Sequence, residues 1–309
     1  MTPDKPFDIL VAGEINPDLI LNGDVEPAFG QIEKLVEGAS LSIGSSSVIF
    51  ACGAARLGLK VAFIGVCGED VFGRYMLDEM QRADLDVSPV ILRGDGQTGL
   101  SVILNRGEDR AILTHAGLMA SLRADDVTDE LLRQARHLHV ASYFLQKDLQ
   151  PGLPGLFTRA RALGLTTSLD TNYDPGGLWH SLDPLLAVTH VLMINEREAL
   201  SLAVATDIHQ AASLLGVKVD TLAIKLGAAG ALGVRSGQNA TVPSPKVKVV
   251  DTVGAGDSFD AGFLYGYLNG WDLSRALRLG CACGALSTQK AGGTAAQPTL
   301  AEAMSYVPG

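Results

Sequence analysis

Short apolar runs that alternate with amphipathic stretches restrict this chain to a layered α/β architecture before any single residue is considered. Phe7-Asp8-Ile9-Leu10-Val11-Ala12-Gly13 reads as a buried strand that ends on glycine. A helix is expected over 46–57, closed by Gly58, then a strand over 61–65 and a helix over 72–82. Strand and helix signals then follow one another at 137–141, 150–163, 166–170, 190–194, 196–203, 207–215 and 221–226. Two long helices near 257–269 and 272–290 close the chain. Regular alternation of this kind implies a mainly parallel sheet with helices on both faces. A chain of 309 residues, 47% hydrophobic, buries most of the surface it would expose unfolded and needs no disulfide or metal staple.

Two regions interrupt the alternation. Leu19–Leu41 and Thr98–Leu113 hold short strand-like runs with no helix between them, and 100–104 with 110–113 reads as a β-hairpin around 105–109. These pieces are expected to pair into a small antiparallel sheet, formed by insertions near 18–42 and 98–114 of a single domain spanning 1–309. A sheet so small does not fold alone, so it needs a surface to cover: a ligand cleft as a lid, or a second copy as a homodimer contact.

Several function classes drop out on composition. A net charge of −10 and a pI near 5.0 disfavour nucleic acid and anionic membranes as partners. No apolar run approaches the ~18 residues of a membrane span. Met1 to Asp8 is polar and leads straight into a strand, unlike a signal peptide, so a cytoplasmic setting is expected. Cys52, Cys67, Cys281 and Cys283 sit among small or apolar residues and read as reduced core thiols. His137 and His139 alternate along a strand and read as structural. The other histidines, His115, His180, His190 and His209, show no metal-ligand spacing.

The segment with most chemistry is Asp251-Thr252-Val253-Gly254-Ala255-Gly256-Asp257-Ser258-Phe259. A strand is expected upstream over 247–250, and Phe259, Phe263 and Tyr267 recur downstream at helical spacing before Gly270. A glycine-rich turn therefore feeds a helix N-terminus, where unpaired N–H groups and the positive dipole end favour an anion. An Asp in the first turn is also an ordinary cap. Two glycines beside it favour a carboxylate that takes a hydroxyl proton while the amides hold phosphate oxygens.

This segment resembles the D-T-x-G-A-G-D signature of the ribokinase-like (PfkB) carbohydrate kinases, and the likeness runs along nearly the whole chain. The resemblance implies a three-layer α/β/α sandwich with a small β lid, and transfer of the ATP γ-phosphate to a hydroxyl, usually a primary one. It implies Asp257 as base, with Gly254, Ala255 and Gly256 forming the anion hole. Gly44 to Gly58 resembles the family's first signature, and 65–73 its next strand-to-helix turn. Asn195 and Glu198 match an N-x-x-E motif that organises Mg²⁺ and phosphate, often through water; alone, the same pair is an ordinary capping box. Lys225, Gly227 and Gly230 resemble the nucleotide-side turn, where Lys225 adds a point charge near the phosphates; the plain alternative is a glycine turn between strands. Asn16 and Asp18, with Gly44, resemble the sugar-binding positions, though 13–18 also reads as a solvated turn. Asp251, Val253 and the region 287–293 correspond to a K⁺ site beside the anion hole.

Departures bear on the substrate. Gly44-Ser45 replaces a Gly-Gly pair, and Ile49 stands where ribokinases place a sugar-binding Asn, which disfavours ribose and gives the pocket an apolar edge. In Asp170-Thr171-Asn172-Tyr173-Asp174, Asp174 stands in place of an Arg, which points to a neutral sugar and away from acid sugars and sugar phosphates. The helix dipole is expected to keep Asp257 ionised at neutral pH. A nucleoside kinase of the adenosine type, with Ile49 and Phe50 against the base, and a non-catalytic ligand sensor are the alternatives on the same fold. A dinucleotide-dependent dehydrogenase fits poorly, because no G-x-G-x-x-G follows the first strand.

Overall fold

The alternation resolves into one large sheet in the computed structural model, which describes residues 5–106, 109–172, 174, 176–177, 179 and 182–307. Met1–Asp4, Gly107, Glu108, Tyr173, Pro175, Leu178, His180, Ser181, Pro308 and Gly309 lie outside the described residues, and with Gly107 and Glu108 so does part of the loop expected over 105–109. The first half contains β1 (Phe7–Ala12), β2 (Pro17–Asn22), β3 (Gly38–Ile43), α1 (Ser46–Arg56), β4 (Val61–Ile64), β5 (Val66–Gly68), α2 (Val71–Arg82), β6 (Ile91–Arg93), β7 (Leu100–Arg106) and β8 (Asp109–His115). The middle adds α3 (Asp129–Arg133), β9 (Ala135–Val140), α4 (Leu153–Ala162), β10 (Thr166–Leu169), α5 (Asp183–Leu186) and β11 (Val191–Asn195). Then follow α6 (Glu196–Ala203), α7 (Ile208–Gly216), β12 (Thr221–Lys225), β13 (Ala231–Arg235), β14 (Gln238–Val242), α8 (Ala255–Leu268), α9 (Leu273–Ser287) and α10 (Leu300–Met304).

The main sheet has the order β14-β13-β12-β11-β10-β9-β1-β4, parallel from β12 to β4, with β13 and β14 antiparallel at one edge. Period-two alternation sends successive side chains of β1 to opposite layers. Ile9 and Val11 join a core with Phe50, Phe63, Phe259 and Phe263, whereas Leu10 and Ala12 join one with Leu138, Phe157 and Leu192. Helices α1, α2, α8 and α9 thus cover one face and α3 to α7 the other, as the sequence implies. All four cysteines are buried free thiols. His137 and His139 are buried and share the Ser168 hydroxyl, at 2.6 and 2.7 Å, as a structural reading requires.

The second sheet, β3-β2-β7-β8, differs from expectation in its pairing. β2–β3 and β7–β8 are antiparallel, but the central pair β2–β7 is parallel, so the sheet is mixed. Its two hairpin-like arms leave the main body at separate points, and their chain directions at the junction are set by where β1 and β6 deliver them. The expected strand over 247–250 is also absent. This stretch joins neither sheet: Val249 and Val250 are exposed, and Val250 N donates to Thr288 O at 2.8 Å. Helix α8 starts two residues earlier than expected and α9 stops at Ser287, which frees 288–293 to form a loop.

Candidate active site

In an open parallel sheet the ligand crevice lies beyond the carboxyl ends of the strands, where the strand order reverses. Here β1 runs next to β4 on one side and β9 on the other, and the segments after β1 and β9 meet. The buried Glu14 carboxylate accepts hydrogen bonds from Ser142 Oγ (2.8 Å), Ser47 Oγ (2.6 Å) and Ser45 Oγ (3.1 Å), which ties β1, β9 and the start of α1 together.

The N-terminus of α8 opens onto this crevice. Helices α1, α2, α6, α7 and α9 each have a side chain that accepts from a first-turn amide, but α8, like α4 and α5, has none. Its N-cap, Gly254, has φ 72°, and a Cβ there would stand 2.8 Å from Gly293 Cα and 2.9 Å from Ile49 Cγ2. Only glycine fits both the left-handed backbone and the contact. Amides without a side-chain acceptor on a tight turn can form an anion nest, although Ala255 N here also donates to Thr252 O at 3.3 Å. Asp257 lies in the first turn, almost fully buried.

The expectation that Asp257 is ionised at neutral pH is corrected here. Burial, then the Asp170 carboxylate and Glu14, raise its pKa to about 8, against the lowering effects of Lys225 and a Ser46 hydrogen bond. The helix dipole acts over one turn at a partly wet surface, whereas desolvation acts on the whole charge.

Lys225 ends β12, and its Nζ donates to Asp170 Oδ2 (2.9 Å) and Asp260 Oδ2 (3.0 Å). Its ammonium is therefore committed to two carboxylates rather than free for a nucleotide, although it lies 3.5 Å from where a Cβ of Gly256 would be. Gly227 opens the short 3₁₀ turn from β12 to β13, and Gly230 follows it. Asn195 is the register partner of Lys225 on β11. It forms a full capping box with Glu198: Asn195 Oδ1 accepts from Glu198 N (2.9 Å), and Glu198 Oε2 accepts from Asn195 N (2.9 Å). Burial and Asp170 push Glu198 up to about 7, with Lys225 opposing.

On the other wall, Asn16 Nδ2 donates to Asp18 Oδ1 (3.3 Å) and Ser101 Oγ (3.4 Å), and a Cβ on Gly44 would collide with both Asn16 and Asp18. The three expected sugar positions therefore converge, and they are not a solvated turn: Asn16 and Asp18 are buried. Burial raises Asp18 to about 6, against the pull of Arg110. Asp251 accepts from Val253 N (3.0 Å) and Gly292 N (2.9 Å), while Val250 N and Asp251 N donate to Thr288 O at 2.8 and 3.1 Å. The loop preceding α8 is thereby laced to 288–292.

Residues 8–300 match the family described as pfkB family carbohydrate kinase. The chain belongs to the pfkB family. It is an ATP-dependent sugar kinase. An Archaeoglobus fulgidus protein named as an uncharacterized sugar kinase is 32% identical over 78% of this chain and 96% of its own. A Shouchella clausii 5-dehydro-2-deoxygluconokinase is 31% identical over 86% of each chain. The solved ribokinase of Arabidopsis thaliana, complexed with ribose and ATP, shares the fold: TM-score 0.84, 21% identity, over 97% of this chain and 98% of that one.

Two substrate expectations change in the kinase's structure. Ile49 packs on Gly254 and Gly293, so its branched side chain supports the loop that leads into α8. Asp174 is buried and accepts from Gly176 N (2.8 Å) and Trp179 N (3.0 Å), so part of its hydrogen-bonding capacity holds its own loop. Residues that sequence reasoning did not single out are Asp260, Glu14 and Arg110. Asp260 had one signal, its i+3 position on the same helical face as Asp257. Arg110 reaches from β8 to 4.0 Å from Asp251 and had none.

Proposed function

We propose that the kinase moves the γ-phosphate of Mg²⁺-ATP in line to a primary hydroxyl of a sugar, with Asp257 as base and the amides of Gly254, Ala255 and Gly256 as the anion hole. The observation that carries this reading is the uncapped, glycine-started N-terminus of α8 with a buried carboxylate in its first turn. A base with a raised pKa holds a hydroxyl proton better than an ordinary Asp, and the proton leaves as the bond to phosphorus forms. Asn16, Asp18 and Gly44 would meet the sugar hydroxyls, an ionised Asp accepting two of them. Lys225, Gly227, Gly230 and Asn195 stand on the nucleotide side, Lys225 acting through its neighbours.

Asn195 and Glu198 fit a hydrated Mg²⁺: their oxygens already serve the capping box, but each keeps a lone pair for a metal-bound water. The metal, when bound, neutralises charge on the transferring phosphate. Asp251 and Val253, laced to 288–292, suit a K⁺ that would hold the α8 amides in place. The second sheet would close as the lid, and β8, exposed along its length, would pair a homodimer. Among the described residues no helix is long and apolar enough to cross a membrane, and we place the kinase in the cytoplasm.

The sugar class has two readings. A neutral hexose or pentose suits the hydroxyl-binding pair Asn16–Asp18, and a nucleoside would compete for the same pair. A carboxylate-bearing sugar is favoured by Arg110, whose charge acts on Asp18 from the lid, and by relatives named as 5-dehydro-2-deoxygluconokinases. ATP consumption is measured with neutral sugars, nucleosides, acid sugars and sugar phosphates, ranked by kcat/KM. Arg110→Met should lower kcat/KM at least about tenfold if an acid sugar leads, and less than about threefold if a neutral one does. No turnover with any member of the panel refutes the reading.

A further inference from the structure

Three residues far apart in sequence meet under the anion hole. Asp170 follows β10, Lys225 ends β12, and Asp260 lies one turn into α8 beyond Asp257. The two carboxylates are 1% exposed and Lys225 is 12% exposed. The Lys225 stem runs beneath the turn: Nζ, Cδ and Cε lie 3.5, 3.8 and 3.9 Å from the Cβ position of Gly256. We propose that Lys225 is a positioning residue for phosphoryl transfer, a permanent cation held by Asp170 and Asp260 that anchors the first turns of α8 and adds positive charge behind the anion hole. The proposal rests on the kinase reading given above.

The charge arrangement supports it. Two carboxylates and one ammonium would leave a net buried negative charge, so one acid keeps its proton. Burial works to raise Asp170, but Lys225 and a hydrogen bond from Asp260 hold it low, whereas burial drives Asp260 well above the usual carboxylate range. The set is then Lys⁺, Asp⁻ and a neutral acid, with Asp260 Oδ1 the one carboxyl oxygen of the set without a partner. Burial works against the ammonium, but its acidic neighbours, the Asp170 carboxylate foremost, together outweigh burial and hold its pKa above the usual lysine value. A buried ion set is seldom better for stability than apolar residues of the same volume. Its placement is what a structural role leaves unexplained. The Lys225–Asp260 bond fixes the helical face that also carries Asp257, and the ammonium adjoins the amides that would face the growing phosphate charge. Preorganised charge of this kind acts mainly on the transition state.

The test separates charge from fold. Full-length wild type, Asp170→Asn, Lys225→Met/Asp170→Asn and Lys225→Gln are compared by thermal unfolding, ATP affinity from calorimetry, and kcat and KM on the best sugar of the panel. In Asp170→Asn the counter-ion role passes to Asp260 and the ammonium stays. The double variant removes ammonium and carboxylate together, leaving no unpaired buried charge, and Lys225→Gln retains a bridging amide if the double variant does not fold. The expected result is kcat about 10²-fold lower than in Asp170→Asn for either folded variant lacking the ammonium, with KM and ATP affinity within about threefold. The affinity for ADP with aluminium fluoride and Mg²⁺, a mimic of the transferring phosphate, should fall by a similar factor. A folded variant without the ammonium that matches Asp170→Asn in kcat and fluoride-complex affinity overturns the proposal. So does a loss seen equally in ATP affinity, which would mark a purely structural or ground-state role. Wild type that turns over no sugar refutes the kinase reading instead, and the fluoride-complex affinities still decide the role of Lys225.

Discussion

Replacing Asp257 by Asn should remove activity and add stability. The carboxyl has an ordinary value of 3.8 and is raised to about 8 in the fold, first by burial. At pH 7 the folded state therefore keeps a proton that the unfolded chain releases. A raised carboxyl pKa means that stability is highest below the unfolded value and declines as pH rises toward the folded one. The interval from 3.8 to 7 corresponds to about 4 kcal/mol at ~1.4 kcal/mol per unit. Near pH 4.5 the same arithmetic leaves about 1 kcal/mol. Asn is neutral at every pH and of similar size, so it escapes this cost. Thermal unfolding without nucleotide or metal should show Tm about 5–10 °C higher for Asp257→Asn at pH 7, and nearly equal values at pH 4.5. Loss of the base should lower kcat by ~10²–10⁴-fold. For wild type, kcat/KM should rise with pH through about 8, where the free base ionises. A variant that gains no more stability at pH 7 than at pH 4.5 would refute the burial argument. One that keeps more than about a tenth of kcat would exclude Asp257 as base.

Asp18, raised to about 6 by burial, accepts sugar hydroxyls best when ionised, so KM for the sugar should climb as pH falls through 6 while ATP affinity holds. Gly254→Ala should cut kcat ~10²-fold or more, because φ 72° and the Gly293 contact force the turn to move, and rates of folded protein check this. Glu198→Ala should weaken the apparent Mg²⁺ affinity at least about tenfold in metal titrations at saturating ATP; indistinguishable titrations would remove Glu198 from the metal region. Turnover should be faster in K⁺ than in a bulky organic cation, and Asp251→Ala should abolish the difference; equal rates for wild type would sink the K⁺ site.

Much of the architecture follows from local patterning. Four-residue apolar runs such as Val61–Ile64 have no room for a helix, and their alternation with capped amphipathic segments leaves few arrangements besides a helix-covered parallel sheet. The glycine turn before α8 was equally legible, because a glycine at positive φ leading into a helix is written in consecutive residues. Asn16, Asp18 and Gly44 also converge as their positions in sequence implied, since β2 and β3 pair antiparallel and bring 18 opposite 42.

What only the tertiary structure decided are the properties that depend on neighbours distant in sequence. The parallel pairing of β2 with β7 depends on where two separate excursions leave the main body, which no hairpin signal encodes. Val247–Val250 has the period of a strand, yet the fold leaves it outside both sheets and ties Val250 N to Thr288 O instead. Lys225 reads as a charge for phosphates until Asp170 and Asp260, 55 and 35 residues away, are found to hold it. Asp257 shows the same limit most directly. Its sequence context is a helix N-terminus, which lowers a carboxyl pKa, but burial and the Asp170 carboxylate, which follows β10, raise it. Propensity, capping and dipole effects act within a turn or two and are carried by adjacent residues, whereas desolvation and charge coupling depend on everything within several ångströms, which folding alone assembles.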